Sequence, residues 1–158
     1  ADGFGAALNA FIGQNYGAGK MDRVKKGYRA SLITVGVWGL FTTLLFVCFP
    51  EQISGVFFHE PTAIATAVGY MIIIGYSEAF MSVELMTVGA LSGLGKTHLC
   101  SVISITLTSA RIPLAILLSG TALGLLGIWW ALTATSVVKG IVFVMAFYWI
   151  TARMRNSK

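Results

Sequence analysis

Four runs of apolar residues, at 30–49, 67–94, 99–119 and 126–150, dominate the 158-residue sequence. About 20 mostly apolar residues make a helix long enough to cross the hydrocarbon core of a bilayer. Inside that core no water is available to backbone amides and carbonyls, so such runs must close their hydrogen bonds along their own axis as helices. A fifth apolar run, at 3–12, is too short to span and reads as the end of a helix. The chain opens at Ala1 inside this Gly-rich run, as a segment of a longer protein would. No basic n-region with a small-residue cleavage site is legible before it. Composition agrees with a membrane protein: 11% of residues are charged and mean hydropathy is +0.81, against roughly 25% charged residues in soluble domains.

The balance of 11 Lys and Arg against 6 Asp and Glu would suggest nucleic acid in a soluble protein, but the positions argue otherwise. Lys20, Arg23, Lys25, Lys26 and Arg29 fall in the first polar connection, and Arg153, Arg155 and Lys158 in the tail. No aromatic platforms alternate with these charges, which speaks against nucleic-acid binding. The second connection, PEQISGVFFHEP, has Glu51 and Glu60 and no Lys or Arg. The third has Lys96 and His98, and the fourth, GTALG, has no charge. Basic and non-basic connections alternate, which places the first and third connections and the C-terminus in the cytoplasm under the positive-inside rule.

This map separates the groups from which a reactive or metal site would be built. Cys48 and Cys100 fall at opposite ends of their spans, far beyond disulfide reach, and read as two buried thiols behaving as small hydrophobes. His59 and His98 lie on opposite sides as well, so no Cys/His metal cluster is expected. No nucleophile, base and orienting acid share one side, so no catalytic residues are expected. GALSGLGKTH at 89–98 resembles a Walker A loop, but Ala90 stands where the first Gly is required and a long apolar helix, not a strand, precedes it.

Four ionisable residues lie inside the spans: Glu78 and Glu84 in the second, Arg111 in the third and Lys139 in the fourth. Each costs at least about 2.5 to 3.5 kcal/mol at the bilayer centre, so such residues face a protein interior or a wet cavity. At a rise of about 1.5 Å per residue, Glu78 falls a few ångströms outside the midplane and Glu84 a few inside it. Arg111 matches the depth of Glu78 better, and Lys139 can reach either acid. The two acids are about 120° apart around their helix, so one site need not hold both. A structural reading makes all four residues members of ion pairs. A functional reading makes one Glu the cation-coupling and substrate group, with Arg111 or Lys139 as charge partner. Glu84 is preferred, because Glu78 shares its face with Ser82, Leu85 and Gly89, small residues suited to helix packing.

Gly89 and Gly93 have the GxxxG spacing of closely packed membrane helices. Pro113, two residues after Arg111, is expected to kink its helix or free a carbonyl in it. Trp38, Trp129, Trp130 and Trp149 fall mostly near span ends, where interfacial aromatics sit.

The stretches GFGAALNAFIGQNYGAGKMDRVKKGYR, GALSGLGKTH, SARIPLAILLSG and LGLLGIWWALTATSVVKG, in this order and spacing, resemble the multidrug and toxic compound extrusion (MATE) family. The resemblance covers essentially the whole chain. It implies an all-α membrane protein, a polytopic helix bundle of two six-helix lobes in the inner membrane. This chain would be part of the C-terminal lobe: 1–19 the end of helix eight and its loop, 30–49 helix nine, 62–95 helix ten, 99–119 helix eleven, 126–150 helix twelve and 151–158 a cytoplasmic tail. The partners implied are small-molecule substrates, the lipid bilayer and an N-terminal lobe. No cofactor is implied beyond a coupling ion, H⁺ or Na⁺, exchanged for lipophilic, often cationic compounds. Many members carry a functional acid on the tenth helix. The Asp position of one branch falls on Met81 here, one turn from each Glu, and that branch's Arg is Ser92. This sequence resembles instead a branch with VELMTVGALSGLGKT, which leaves the coupling ion open. Two alternatives are a flippase of related architecture for lipid-linked oligosaccharides and a non-transporting membrane scaffold.

Overall fold

The computed structural model describes residues 2–156, which form six α-helices and no strand. They are α1 (Asp2–Gly17), α2 (Met21–Cys48), α3 (Pro50–Phe57), α4 (Pro61–Gly93), α5 (Thr97–Ser119) and α6 (Leu125–Asn156). α2, α4, α5 and α6 are each long and apolar enough to cross a membrane. The chain is thus a polytopic helical bundle. Lys158 and the side chain of Arg155, both assigned above to a basic tail, lie outside what is described.

Three boundaries differ from the sequence expectation, each for a physical reason. α2 starts at Met21 rather than near residue 30, so the basic connection is mostly helix. Val24 and Tyr28, four residues apart, are both buried, which gives the basic segment an apolar stripe to pack while its charges stay outside. The second connection contains α3, with Pro50 in the first turn, where a missing N–H does no harm; Ser54 from this helix is buried. α6 continues through 151–156, where a tail was expected. Thr151 is buried and donates to the Phe147 carbonyl at 2.9 Å.

The turns after α1 and α4 share one design. Gly19 and Gly95 both have φ of +72°, the left-handed conformation that glycine adopts without strain. The next amide in each folds back onto the helix, Lys20 to the Asn15 carbonyl at 2.8 Å and Lys96 to the Leu91 carbonyl at 2.9 Å, satisfying carbonyls a helix end leaves open. Gly95 of the apparent phosphate loop is therefore a helix terminator.

α4 is the centre of the bundle, packed against α1, α2, α3 and α6, while α5 leans mainly on α6. Glycine allows the close approaches. A Cβ on Gly89 would lie 2.7 Å from the Cα of Gly5, and one on Gly93 would lie 2.6 Å from the Asn9 carbonyl oxygen. Gly39 of α2 meets Ala79, and Gly140 of α6 meets the Phe80 carbonyl, in the same way. Between the basic ends of the helices, Tyr28 stacks on Phe147 with ring centroids 3.6 Å apart. Thr87 donates to the Val83 carbonyl at 2.7 Å, so the Tyr28 hydroxyl is the donor in its 3.0 Å bond to Thr87. Two other threonines reach carbonyls of α4: Thr43 to Gly75 at 2.8 Å and Thr133 to Ile73 at 2.9 Å.

These contacts predict that Gly89→Val separates α1 from α4. The full-length variant in detergent should lose several degrees of apparent melting temperature, as overpacking by about 1–3 kcal/mol requires, whereas Gly3→Ala, with open space around it, should melt like the parent.

Candidate functional site

Threonine, serine and charged residues recur on α5 and α6 at helical spacing: Thr108 and Arg111 three apart, Ser136 and Lys139 three apart, Thr135 and Lys139 four apart. Residues so spaced share one face of a helix. In the bundle these faces meet and form a polar seam through otherwise apolar spans. Glu84 of α4 closes one end of it.

The Lys139 Nζ lies 2.6 Å from the Glu84 Oε1 and also donates to the Thr108 hydroxyl at 3.4 Å. One cation thus ties α4, α5 and α6 together. Glu84 and Lys139 are only 7% and 9% exposed, so neither charge has bulk water to fall back on. Desolvating an ion pair is tolerable only when geometry is good and the remaining hydrogen-bonding capacity is used; the short contact supplies the first, and the Thr108 bond uses one of the remaining Lys139 donors.

About one turn farther along the seam, Arg111 donates from Nε to the Thr135 hydroxyl at 2.8 Å and from Nη2 to the Ser136 hydroxyl at 3.2 Å. Thr135 hands its own hydrogen to the Ala131 carbonyl at 2.8 Å, which leaves its oxygen free to accept. The depth match between Arg111 and Glu78 does not become a contact: Arg111 is satisfied by hydroxyls on α6, and Glu78 has no cation within ion-pair distance among the described residues. Depth alone ignored azimuth, since Arg111 faces α6 while Glu78 does not. Glu78 is half-buried, on the stripe of α4 that continues to Leu85 and Gly89 against α1. Gly5 meets Leu85, so Glu78 lies about two turns beyond that contact.

Pro113 sits inside α5, which continues through it. Lacking an N–H, it leaves the Ser109 carbonyl without its helical donor, half a turn from Arg111. Both cysteines are free thiols; Cys100 is buried in the first turn of α5 as expected, whereas Cys48 is exposed, not buried, because it ends α2 where the chain turns into α3. Among the described residues no cluster of three His, Cys, Asp or Glu side chains could hold a metal ion. A separate cleft of about 410 Å³ between α2, α4 and α6 is lined only by apolar side chains and glycines, among them Leu40, Phe80, Val83 and Met145. Neither Glu78 nor Glu84 lines it.

Sequence reading singled out the four charges but not Thr108, Thr135 and Ser136, their hydroxyl partners. Their spacing from Arg111 and Lys139 was the available signal.

The MatE family model matches residues 1–117. The chain is 30% identical to the Probable multidrug resistance protein NorM of Pseudomonas aeruginosa, over 96% of this chain and 33% of that protein. It is 26% identical to the protein of the same description from Thermotoga maritima, over 93% of this chain and 32% of that protein. With the Multidrug and toxin extrusion protein 1 of Danio rerio it shares 21% identity, over 92% of this chain and 25% of that protein. The chain thus spans about a third of the length of the curated relatives it matches.

The seam predicts an asymmetry between single and double variants. Lys139→Met strands a buried carboxylate and should destabilise the full-length protein by about 3–5 kcal/mol. Adding Glu84→Leu should recover most of that loss, read as the apparent melting temperature in detergent.

Proposed function

The chain belongs to the MatE family, and we propose that it forms part of the C-terminal lobe of a secondary transporter that exports lipophilic, often cationic compounds in exchange for H⁺ or Na⁺. It is a multi-pass membrane protein. The family supports multidrug efflux, and the buried Glu84–Lys139 pair at 2.6 Å carries the reading of where coupling resides.

The chemistry follows from competition for one carboxylate. With Lys139 beside it, Glu84 is neutralised by a cation belonging to the protein. An incoming proton or Na⁺ competes with Lys139 for the same oxygens, and when it wins, Lys139 keeps Thr108 as its contact and loses its hold on α4. The charge at Glu84 thereby biases the packing of α4 against α5 and α6, as a two-state element needs. Glu78, without a cation of its own among the described residues, supplies negative charge to a cationic substrate. The two lobes rock about a central cavity between inward-open and outward-open states. The N-terminal lobe completes that cavity, and the basic end of the bundle faces the cytoplasm of an inner membrane.

Ion-driven efflux by the full-length protein in proteoliposomes tests the assignment. Glu84→Gln should abolish the dependence of efflux on the imposed ion gradient. Glu78→Gln should keep that dependence and raise the KM for a cationic dye about tenfold, the loss of one charge contact of about 1.4 kcal/mol. Coupled transport that persists unchanged in Glu84→Gln would remove Glu84 from the mechanism.

A further inference from the structure

Away from the polar seam, at the basic end of the bundle, a cavity of about 320 Å³ opens between the α4–α5 turn and the last turns of α6, lined by Lys96, Leu99, Trp149, Ile150, Arg153 and Met154. Its volume falls in the range of small-ligand sites, about 300–1,000 Å³. We propose that it binds the headgroup of an anionic phospholipid of the phosphatidylglycerol type, with Lys96 and Arg153 as the phosphate contacts. This inference goes beyond the transport reading and needs only that the chain crosses a membrane.

Charge is the first argument. Two cations line the cavity and no Asp or Glu does, and neither Lys96 nor Arg153 has a carboxylate at ion-pair distance among the described residues. The Arg153 guanidinium is held 5.5 Å above the Trp149 ring, so it is placed before any ligand arrives and loses less freedom on binding. Lys96 is the N-cap of α5 and offers no side-chain cap to that helix. The first bonded amides of α5 are those of Leu99 and Cys100, both to the Lys96 carbonyl, which leaves the N–H groups of Thr97 and His98 at the positive end of a 23-residue helix.

Position and floor choose a lipid over a free anion. The cavity lies at the end of the spans, at headgroup depth, and Trp149 is 59% exposed there, as an interfacial indole is. Deeper along α5 and α6 than the two cations, Leu99 and Ile150 present hydrocarbon, with Met154 beside Arg153, which suits the glycerol and first acyl carbons of a lipid and does nothing for inorganic phosphate. Basic pockets between membrane helices on the cytoplasmic side are suited to anionic headgroups in this way.

Quenching of Trp149 tests the proposal, its signal isolated as the difference between the full-length protein and its Trp149→Phe variant in phosphatidylcholine vesicles. Brominated phosphatidylglycerol should quench that signal at a several-fold lower mole fraction than brominated phosphatidylcholine. Lys96→Gln and Arg153→Gln should each weaken the preference about fivefold, whereas Arg153→Lys, which keeps the charge, should retain most of it. Lys96→Gln leaves the Arg153–Trp149 contact intact, so a change there reports the lipid rather than the indole. Equal quenching by the two lipids, or an unchanged preference in both Gln variants, overturns the proposal. Displacement of the lipid by inorganic phosphate at the concentration of the vesicle lipid would reassign the cavity to a free anion. Absence of quenching by either lipid would mean that another part of the protein covers it, and would equally overturn the proposal.

Discussion

A bilayer core offers no water to a polar group, and the rest of this bundle is organised by that absence. A hydroxyl, charge or backbone group buried at membrane depth needs a partner from the protein or a wet cavity, because one left unsatisfied in hydrocarbon costs several kcal/mol. Among the described residues no buried side-chain nitrogen or oxygen lacks a partner. The solutions are short-range: Thr151 returns to its own helix, while Thr43 and Thr133 add bonds to carbonyls of α4 from either side. Lys139 and Arg111 find an acid and three hydroxyls between them.

Two kinds of interface result. Around α1, α2 and the second half of α4, contact is made by glycines that let backbones touch and by a buried cluster of Tyr28, Met86, Leu91, Phe143 and Phe147. Apart from the Tyr28–Thr87 bond, it is van der Waals contact, with no charge whose neutralisation could alter it. The seam joining α5 and α6 to Glu84 is different, because its members are ionic and polar. α5 has a single buried residue, Cys100, among its side chains; Leu99 and Ile103 pack against the core and Leu118 against Gly127 of α6, and Arg111 and Thr108 add the polar contacts to α6.

Spans and their approximate limits were legible because hydropathy over 20 residues reports a requirement of the solvent, not of a neighbour. The charge alternation was legible for the same reason. α3 was not: Ile53, Val56 and Phe57 stand at helical spacing, but eight residues are too few for that pattern to stand out in a polar connection, and what makes the segment worth folding is the burial of Pro50 and Ser54, which a single sequence does not show. The helical character of 21–29 was masked by its charges, although Val24 and Tyr28 were already at the spacing of a buried stripe. At the site, the four charges could be named but only partly paired. Depth follows from counting residues, whereas azimuth depends on crossing angles that a single sequence does not contain. Hence Lys139 fell within reach of Glu84, and Arg111 was aimed at the wrong partner.

The division between a nonpolar core and a polar seam also bears on why Glu84 and Glu78 need not be equivalent, although they are six residues apart on one helix. Glu84 faces the seam, where a change of its charge alters contacts on two other helices at once through a single lysine. Glu78 lies on the stripe that continues into the glycine contacts with α1, and no partner among the described residues moves with it. A group that switches packing must be bonded to something that can let go, and a group that receives a ligand must be free to be approached. In this bundle the first condition is met at Glu84 by Lys139 at 2.6 Å, and the second at Glu78 by its half-buried position, with no cation at ion-pair distance among the described residues. Divided in this way, coupling and binding would sit about two turns apart on α4, close enough for the helix backbone to connect them without a separate relay.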